Sequence, residues 1–275
     1  MADQSSTVEL VSGTIELMGA PLEIDARISW RAPHEAGRYD FINAYLVRDG
    51  DGAVMVETGV VAHFPVIAAQ IERLYPASRG PLRLVVTRNE PDCLSNVTNL
   101  ARTRGLEKVY APGIINSLDY FEHLTSKELM MSYGVPHQAL RPGERVEIGA
   151  GRSLEAVATP LKMLSTSWYH EADTGALFCS DVMTNGSSDR PDGRVVDAPE
   201  DMDDLVARMK EHFTMRYDWL AGSDCRPIIR ALEALFTRLQ PRLLLPSRGA
   251  AIRGRAAVEQ RIEALLRALR EVSRA

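Results

Sequence analysis

The sequence predicts an α/β (α+β) protein, an αββα sandwich of two mixed β-sheets with helices on both outer faces. The chain falls into halves, roughly residues 8–150 and 151–275, and each half reads as strands followed by helices. That order buries two sheets against each other and leaves the helices outside. No stretch between the halves reads as a linker, so one domain spanning residues 1–275 is expected. The bulk numbers agree: 275 residues, 45% apolar and 25% charged, suffice for one large globular domain or two small ones.

The elements follow in order. Val8 to Met18 alternates enough to read as strand, as does Asp25 to Arg31. Pro33 to Arg38 is a loop. Phe41 to Val47 and Ala53 to Gly59 read as two strands joined by Asp49-Gly50-Asp51-Gly52, where glycine accepts positive φ without steric cost. A helix from about Ala62 to Leu74 carries the stripe Phe64, Ile67, Ile71 and Leu74. An apolar strand then stops at Thr87, and a helix is expected from about Cys93 to Arg104. A short strand at Lys108–Ala111 precedes a helix from Asn116 to Tyr133, closed by Gly134 and Pro136, with Met130 and Met131 as core filler. Gly143, Gly149 and Gly151 mark turns before strands at Leu154–Leu161, Ser165–Glu171 and Ala176–Ser180. Asn185 to Pro199 reads as a long surface loop or lid. Helices follow at about Met202–Trp219 and Cys225–Leu239, then a short buried strand at Leu243–Leu245. The tail, Arg255 to Arg274, is an amphipathic helix with Val258, Ile262, Leu265, Leu266 and Leu269 inward and its arginines on a solvated face.

Composition excludes several functions. A net charge of −5 argues against nucleic-acid binding. No apolar run approaches the ~20 residues that span a membrane. The polar N-terminus lacks the order of a signal peptide. Cys93, Cys179 and Cys225 are widely spaced and read as reduced cytosolic thiols, so a cytoplasmic location is expected. The six histidines include no pair at H-x-H or H-x-x-x-H spacing, and His34 and His170 read as structural.

Candidate chemistry centres on Leu84 to Asn96. A strand ends in a polar loop where Glu90 and Asp92, two apart, can point into one pocket. Arg88-x-Glu90-x-Asp92-Cys93 resembles the metal-binding loop of the metallo-β-lactamase fold, and most closely that of flavodiiron proteins, which carry His-x-Glu-x-Asp-His. Three more segments share the resemblance. Asn43-Ala44-Tyr45-Leu46-Val47 with Glu57-Thr58-Gly59 is similar to the family's hairpin, with Glu57 where Asp is usual. Met163 stands at a histidine-ligand position, and Asp181 at that of the metal-bridging aspartate. Leu245-Pro246-Ser247-Arg248-Gly249 resembles the Pro-Ser-His-Gly end motif, with Arg248 for histidine; Tyr217, Pro227 and Leu232 lie in a helical stretch that is also flavodiiron-like. The resemblance covers about residues 40 to 254. It implies the fold, the place of a two-iron centre in the family, and a homodimer, but it does not transfer the family's reduction of oxygen or nitric oxide. The chain ends one helix after Arg248, so no flavodoxin domain is expected.

The expected pocket therefore holds Arg88, Glu90, Asp92, Cys93, Met163, Asp181 and Arg248, with no catalytic residue assigned. A guanidinium has no lone pair for a metal, whereas two arginines can neutralise most of the charge of three clustered carboxylates through bidentate pairs. The leading reading is an ion-pair cluster in place of the metals. It makes the chain a metal-free, cofactor-free pseudoenzyme that binds, senses or assembles, with an anionic small molecule as the ligand suited to Arg88 and Arg248. Two alternatives stay open. One keeps a metal on Glu90, Asp92, Asp181 and Cys93 or Met163, as an oxidoreductase of the diiron type. The other is a hydrolase in which Arg88 and a helix N-terminus lower the pKa of Cys93 and make it a nucleophile.

Overall fold

The computed structural model describes residues 6–25, 31–113, 117, 134–184 and 186–273. Strands come in the order β1 (Val8–Val11), β2 (Ile15–Met18), β3 (Pro21–Glu23), β4 (Tyr39–Phe41), β5 (Ala44–Asp49), β6 (Gly52–Val56), β7 (Leu82–Val85) and β8 (Leu106–Pro112). They continue with β9 (His137–Leu140), β10 (Arg145–Glu147), β11 (Ser153–Ala158), β12 (Ser167–Glu171), β13 (Ala176–Phe178), β14 (Val195–Val196), β15 (Leu243–Leu245) and β16 (Ala251–Arg253). The helices are α1 (Phe64–Leu74), α2 (Pro91–Leu94), α3 (Val97–Thr103), α4 (Met202–Arg216), α5 (Arg226–Leu239) and α6 (Arg255–Val272). The predicted class is the one found: mixed α/β, with two large mixed sheets and helices. Among the described residues no helix is long and apolar enough to cross a membrane.

The chain divides into two compact units. Unit 1 comprises Met1–Ala20, Ile42–Ala158 and Leu164–Glu171. Its main sheet runs β1-β2-β5-β6-β7-β8-β9. The first three junctions are antiparallel and the last three parallel. Alternate residues of the central strands (Leu46, Met55, Leu84, Val109) share a core with Ile67 and Ile71 of α1 and Val97 and Leu100 of α3. This is the period-2 strand face meeting the period-3.6 helix stripe. A second set, β10-β11-β12, is antiparallel. The β5–β6 hairpin turns at Gly50, φ +56°, as its sequence requires. Gly52 is needed for a different reason: a Cβ there would lie 1.8 Å from the Ile148 carbonyl oxygen, and one on Gly149 would lie 2.1 Å from that of Asp49. The two backbones meet with no room for side chains.

Unit 2 comprises Pro21–Phe41, Thr159–Met163 and Ala172–Ala275. Here β13 pairs with β15 in parallel, β15 with β16 antiparallel, and β16 with β14 in parallel. α6 packs on α4 and α5.

Several expectations change. Val8 to Met18 is a hairpin, β1 and β2, because Gly13 at φ +66° turns the chain. The helix expected over Cys93–Arg104 is two, α2 and α3. Asn96 separates them: its backbone N–H donates to Thr58 Oγ1 at 3.1 Å, and its Nδ2 donates to the carbonyls of Thr58 and Val60 at 2.9 Å each. The 185–199 loop contributes the short strand β14. α4 ends at Arg216, and Asp218–Leu220 is a separate 3-10 turn. Not all tail arginines are solvated. Arg261 is 1% exposed and donates to Glu200, which also accepts from Arg208 at 2.8 Å. The expected helix at Asn116–Tyr133, with Met130 and Met131, and most of the strand at Asp25–Arg31 lie outside the described residues.

Candidate functional site

In unit 1 the site is built where β7 ends. The chain beyond Val85 is held by β12: Ser167 N–H donates to the Thr87 carbonyl at 2.9 Å and the Tyr169 hydroxyl to that of Val86 at 3.2 Å. Glu90 is extended, and Pro91 opens α2 with its fixed φ. The first turn of α2 then carries Asp92 and Cys93 inward, both buried. Thr58 N–H donates to the Cys93 carbonyl at 2.8 Å, tying α2 to the end of β6.

This frame brings Arg88, Glu90 and Asp92 together. Arg88 is 2% exposed and Asp92 3%. Arg88 Nη2 donates to Asp92 Oδ2, and its Nε lies 3.3 Å from Glu90 Oε2, the more open of the two carboxylates. The guanidinium is therefore engaged by its own chain.

A residue that sequence reasoning left out of the pocket completes the group. Glu57 follows β6 at φ +63°, a left-handed conformation rare outside glycine. Its carboxyl accepts from Thr87 N–H at 3.2 Å and meets Thr87 Oγ1. Burial pushes its pKa up to about 8, against the opposing pull of Thr87 and Arg88. Glu57 is thus neutral at pH 7, and Arg88 faces two carboxylates rather than three. The signal was its position in the Glu57-Thr58-Gly59 motif.

Cys93 is fully buried, its Sγ 3.8 Å from Thr87 Oγ1. Burial drives the thiol pKa well above its usual value; Arg88 opposes this, but Asp92 and Glu57 add to it. This weighs against the alternative of an activated Cys93: desolvation outweighs the nearby cation.

In unit 2, Asp181 follows β13 past Ser180, which sits at φ +58°. Asp181 is 5% exposed. Its Oδ1 accepts from the Tyr217 hydroxyl at 2.7 Å, and Arg216 Nη2 lies 3.6 Å from Oδ2. Ser247 N–H donates to the Ser180 carbonyl at 2.7 Å, and Thr184 Oγ1 donates to the carbonyls of Asp181 and Arg248. These bonds join the turn after β13 to the turn after β15. His212 lies edge-on to Tyr217, 5.8 Å between centroids. Burial holds its pKa down at about 4; Asp181 pulls it up, while Arg31, Arg248 and Arg216 push it further down. Arg31 is held by Asp40 through Nε at 2.9 Å and Nη2 at 2.6 Å. Of the expected pocket residues in this unit, Asp181 and Arg248 are buried and Met163 is 51% exposed. His212, Arg216 and Arg31 were not foreseen; only Tyr217 had stood out in the sequence.

The resemblance implies a two-iron centre, and these donor sets do not fit one. Arg88 offers no lone pair and occupies Asp92 and Glu90, while Asp181 takes a phenol proton on one oxygen and faces a guanidinium with the other. Among the described residues no group of three or more His, Cys, Asp or Glu side chains is arranged to hold a metal.

A family model described as "ODP family beta lactamase" matches residues 41–249. No curated protein sequence matches the chain. Solved structures do. Rubredoxin oxygen:oxidoreductase from the anaerobe Desulfovibrio gigas superposes with a TM-score of 0.71 at 19% identity, over 96% of this chain and 62% of that one. The flavodiiron protein from Giardia intestinalis gives 0.70 at 15%, over 97% and 60%. A flavoprotein from Thermotoga maritima gives 0.69 at 18%, over 95% and 61%. The chain thus spans about three-fifths of these structures. The likeness establishes the metallo-β-lactamase-like fold of flavodiiron proteins.

Proposed function

Since the chain belongs to the ODP beta-lactamase family, we propose that it is a metal-free binding or sensing protein, with an arginine–carboxylate centre in place of the metals that the resemblance implies. One observation carries this reading: a buried guanidinium, Arg88, holds Asp92 and Glu90. A cation entering there would meet a fixed positive charge a few ångströms away, and the carboxylates that could attract it are already compensated. The neutral Glu57 leaves the group one negative charge short of the three that a cation would meet.

Elemental analysis of protein purified without chelator tests the reading. Iron, zinc and manganese are expected far below one equivalent per chain, with no change in thermal midpoint on adding a chelator. A stoichiometric metal, lost on chelation together with stability, would overturn it. The same reading keeps the homodimer that the resemblance implies; a light-scattering mass of one chain at micromolar concentration would remove it.

A further inference from the structure

Unit 2 contains a cleft of about 980 Å³ between the end of α5 and the first half of α6. Small-molecule sites are commonly about 300–1,000 Å³, mostly apolar, with a few fixed polar groups. The cleft has an apolar floor of this kind. Phe236 and Leu239 come from the last turn of α5, and Val258 and Ile262 from successive turns of α6. Spacings of three and four put each pair on one helix face, and α5 packs on α6. Phe236, Leu239 and Val258 are buried, and Ile262 is half-buried.

Charge selects the class of ligand. The lining carries three charged side chains, Arg242, Arg255 and Glu259. Arg255 Nε donates to Glu259 Oε1 at 2.7 Å, so these two cancel. Arg242 is left. Its Nε donates to the Thr174 carbonyl at 3.0 Å and its Nη2 to the Asp173 carbonyl, and no carboxylate pairs with it among the described residues. A Cβ on Gly175 would lie 2.8 Å from Arg242 Nε, so the turn before β13 leaves room to seat the guanidinium. These contacts fix two of the three nitrogens and leave Nη1 with its two N–H donors. Carbonyls orient the group without neutralising it. One net positive charge is thus held in place in a cleft with an apolar floor.

We propose that this cleft binds a monocarboxylate with an apolar tail, of the medium-chain fatty-acid class. Its carboxylate accepts from Arg242 Nη1–H, and its tail lies on Phe236, Leu239, Val258 and Ile262. An amine would be repelled by Arg242. A phosphate monoester carries about −1.5 to −2 at pH 7 and would leave charge unmatched over an apolar floor. The assignment uses no part of the Arg88 centre and stands whether or not that centre holds metal.

Isothermal titration calorimetry on the full chain tests it, with octanoate as the probe and octylamine, 1-octanol and acetate for comparison. Octanoate is expected to bind at submillimolar concentration and octylamine not to bind, while octanol and acetate should each bind at least about tenfold more weakly than octanoate. Arg242→Gln should weaken octanoate binding about tenfold, the equivalent of ~1.4 kcal/mol, and Arg242→Lys should recover most of that loss by restoring the charge. Thr237→Asp, which adds a negative charge to the lining, should also weaken binding. Both side chains are exposed, so the variants should fold, and ligand-free circular dichroism melts check this. No octanoate binding at millimolar concentration, equal binding of octylamine or octanol, or binding unchanged in Arg242→Gln or in Thr237→Asp would each overturn the proposal.

Discussion

Replacing Arg88 with alanine removes a guanidinium that faces two carboxylates. Asp92 decides the magnitude. It is 3% exposed and would be left ionised in a site closed to water, whereas Glu90, 17% exposed, can turn toward solvent. Breaking a buried pair from one side costs about 3–5 kcal/mol, most of it the penalty of the stranded charge. At about 2–4 °C per kcal/mol for a chain approaching this size, the melting temperature should fall by about 6–20 °C. Arg88→Ala combined with Asp92→Asn removes the stranded charge as well, so the double variant should be more stable than the sum of the single losses by about 0.5–3 kcal/mol. Urea melts of the three variants and the parent, followed by circular dichroism and by tryptophan fluorescence, supply the cycle. A single-variant loss within about 0.5 kcal/mol of the parent, the ordinary effect of a surface change, would show that Arg88 does not compensate Asp92. Strict additivity would show that the two do not share a network. Either result would remove the basis for an arginine–carboxylate centre.

Glu57 ties stability to pH. Its folded pKa, about 8, lies above the unfolded carboxyl value, so the folded state holds the extra proton between them. Its contribution is complete below the unfolded pKa of about 4.3 and declines as pH rises through 8, with a slope of up to about 1.4 kcal/mol per pH unit; Glu57→Gln should flatten that decline, which urea midpoints from pH 5 to 9 measure. Cys93, buried with a raised pKa, should react with a thiol reagent no faster than the fold opens; rapid labelling of folded protein near pH 7 would show that the thiol is activated after all. In unit 2, Arg261→Ala should cost about 2–5 kcal/mol in cavity formation, while Arg261→Met should be neutral or stabilising by up to about 1–4 kcal/mol, because Glu200 keeps Arg208 as a partner; equal melting temperatures for the two variants would refute this.

The fold was legible because its signals are local and repeated. The Asp49–Gly52 turn, the alternating apolar strands, and the stripes of α1 and α6 each fix one element, and the order of elements fixes the class. The loop at 88–93 was legible as a cluster because Glu90 and Asp92 flank the opening of a helix. What failed to show were contacts that depend on where the chain returns. Nothing in the run from Val86 to Asn96 says that Glu57, thirty residues upstream, comes to rest on Thr87. Nothing in α6 marks Arg261 for burial among its polar neighbours, since its partner Glu200 lies sixty-one residues away. The environment of Cys93 was hidden for a related reason. A neighbouring arginine is visible in sequence, but the depth of burial that outweighs it is not.

The two units treat their carboxylates by one physical rule. Asp92 is compensated by a guanidinium, with the neighbouring Glu57 kept neutral so that positive and negative charges stay close to balance. Asp181 is compensated by a guanidinium at longer range and by a phenol hydrogen bond, with the neighbouring His212 kept neutral by burial. In each case the acid has a cation within its own unit. A metal ion at such an acid normally supplies positive charge and a fixed geometry together. Here a guanidinium faces each acid, and Tyr217 adds a hydrogen bond to Asp181. The proposed metal-free binding role rests on both acids keeping these partners.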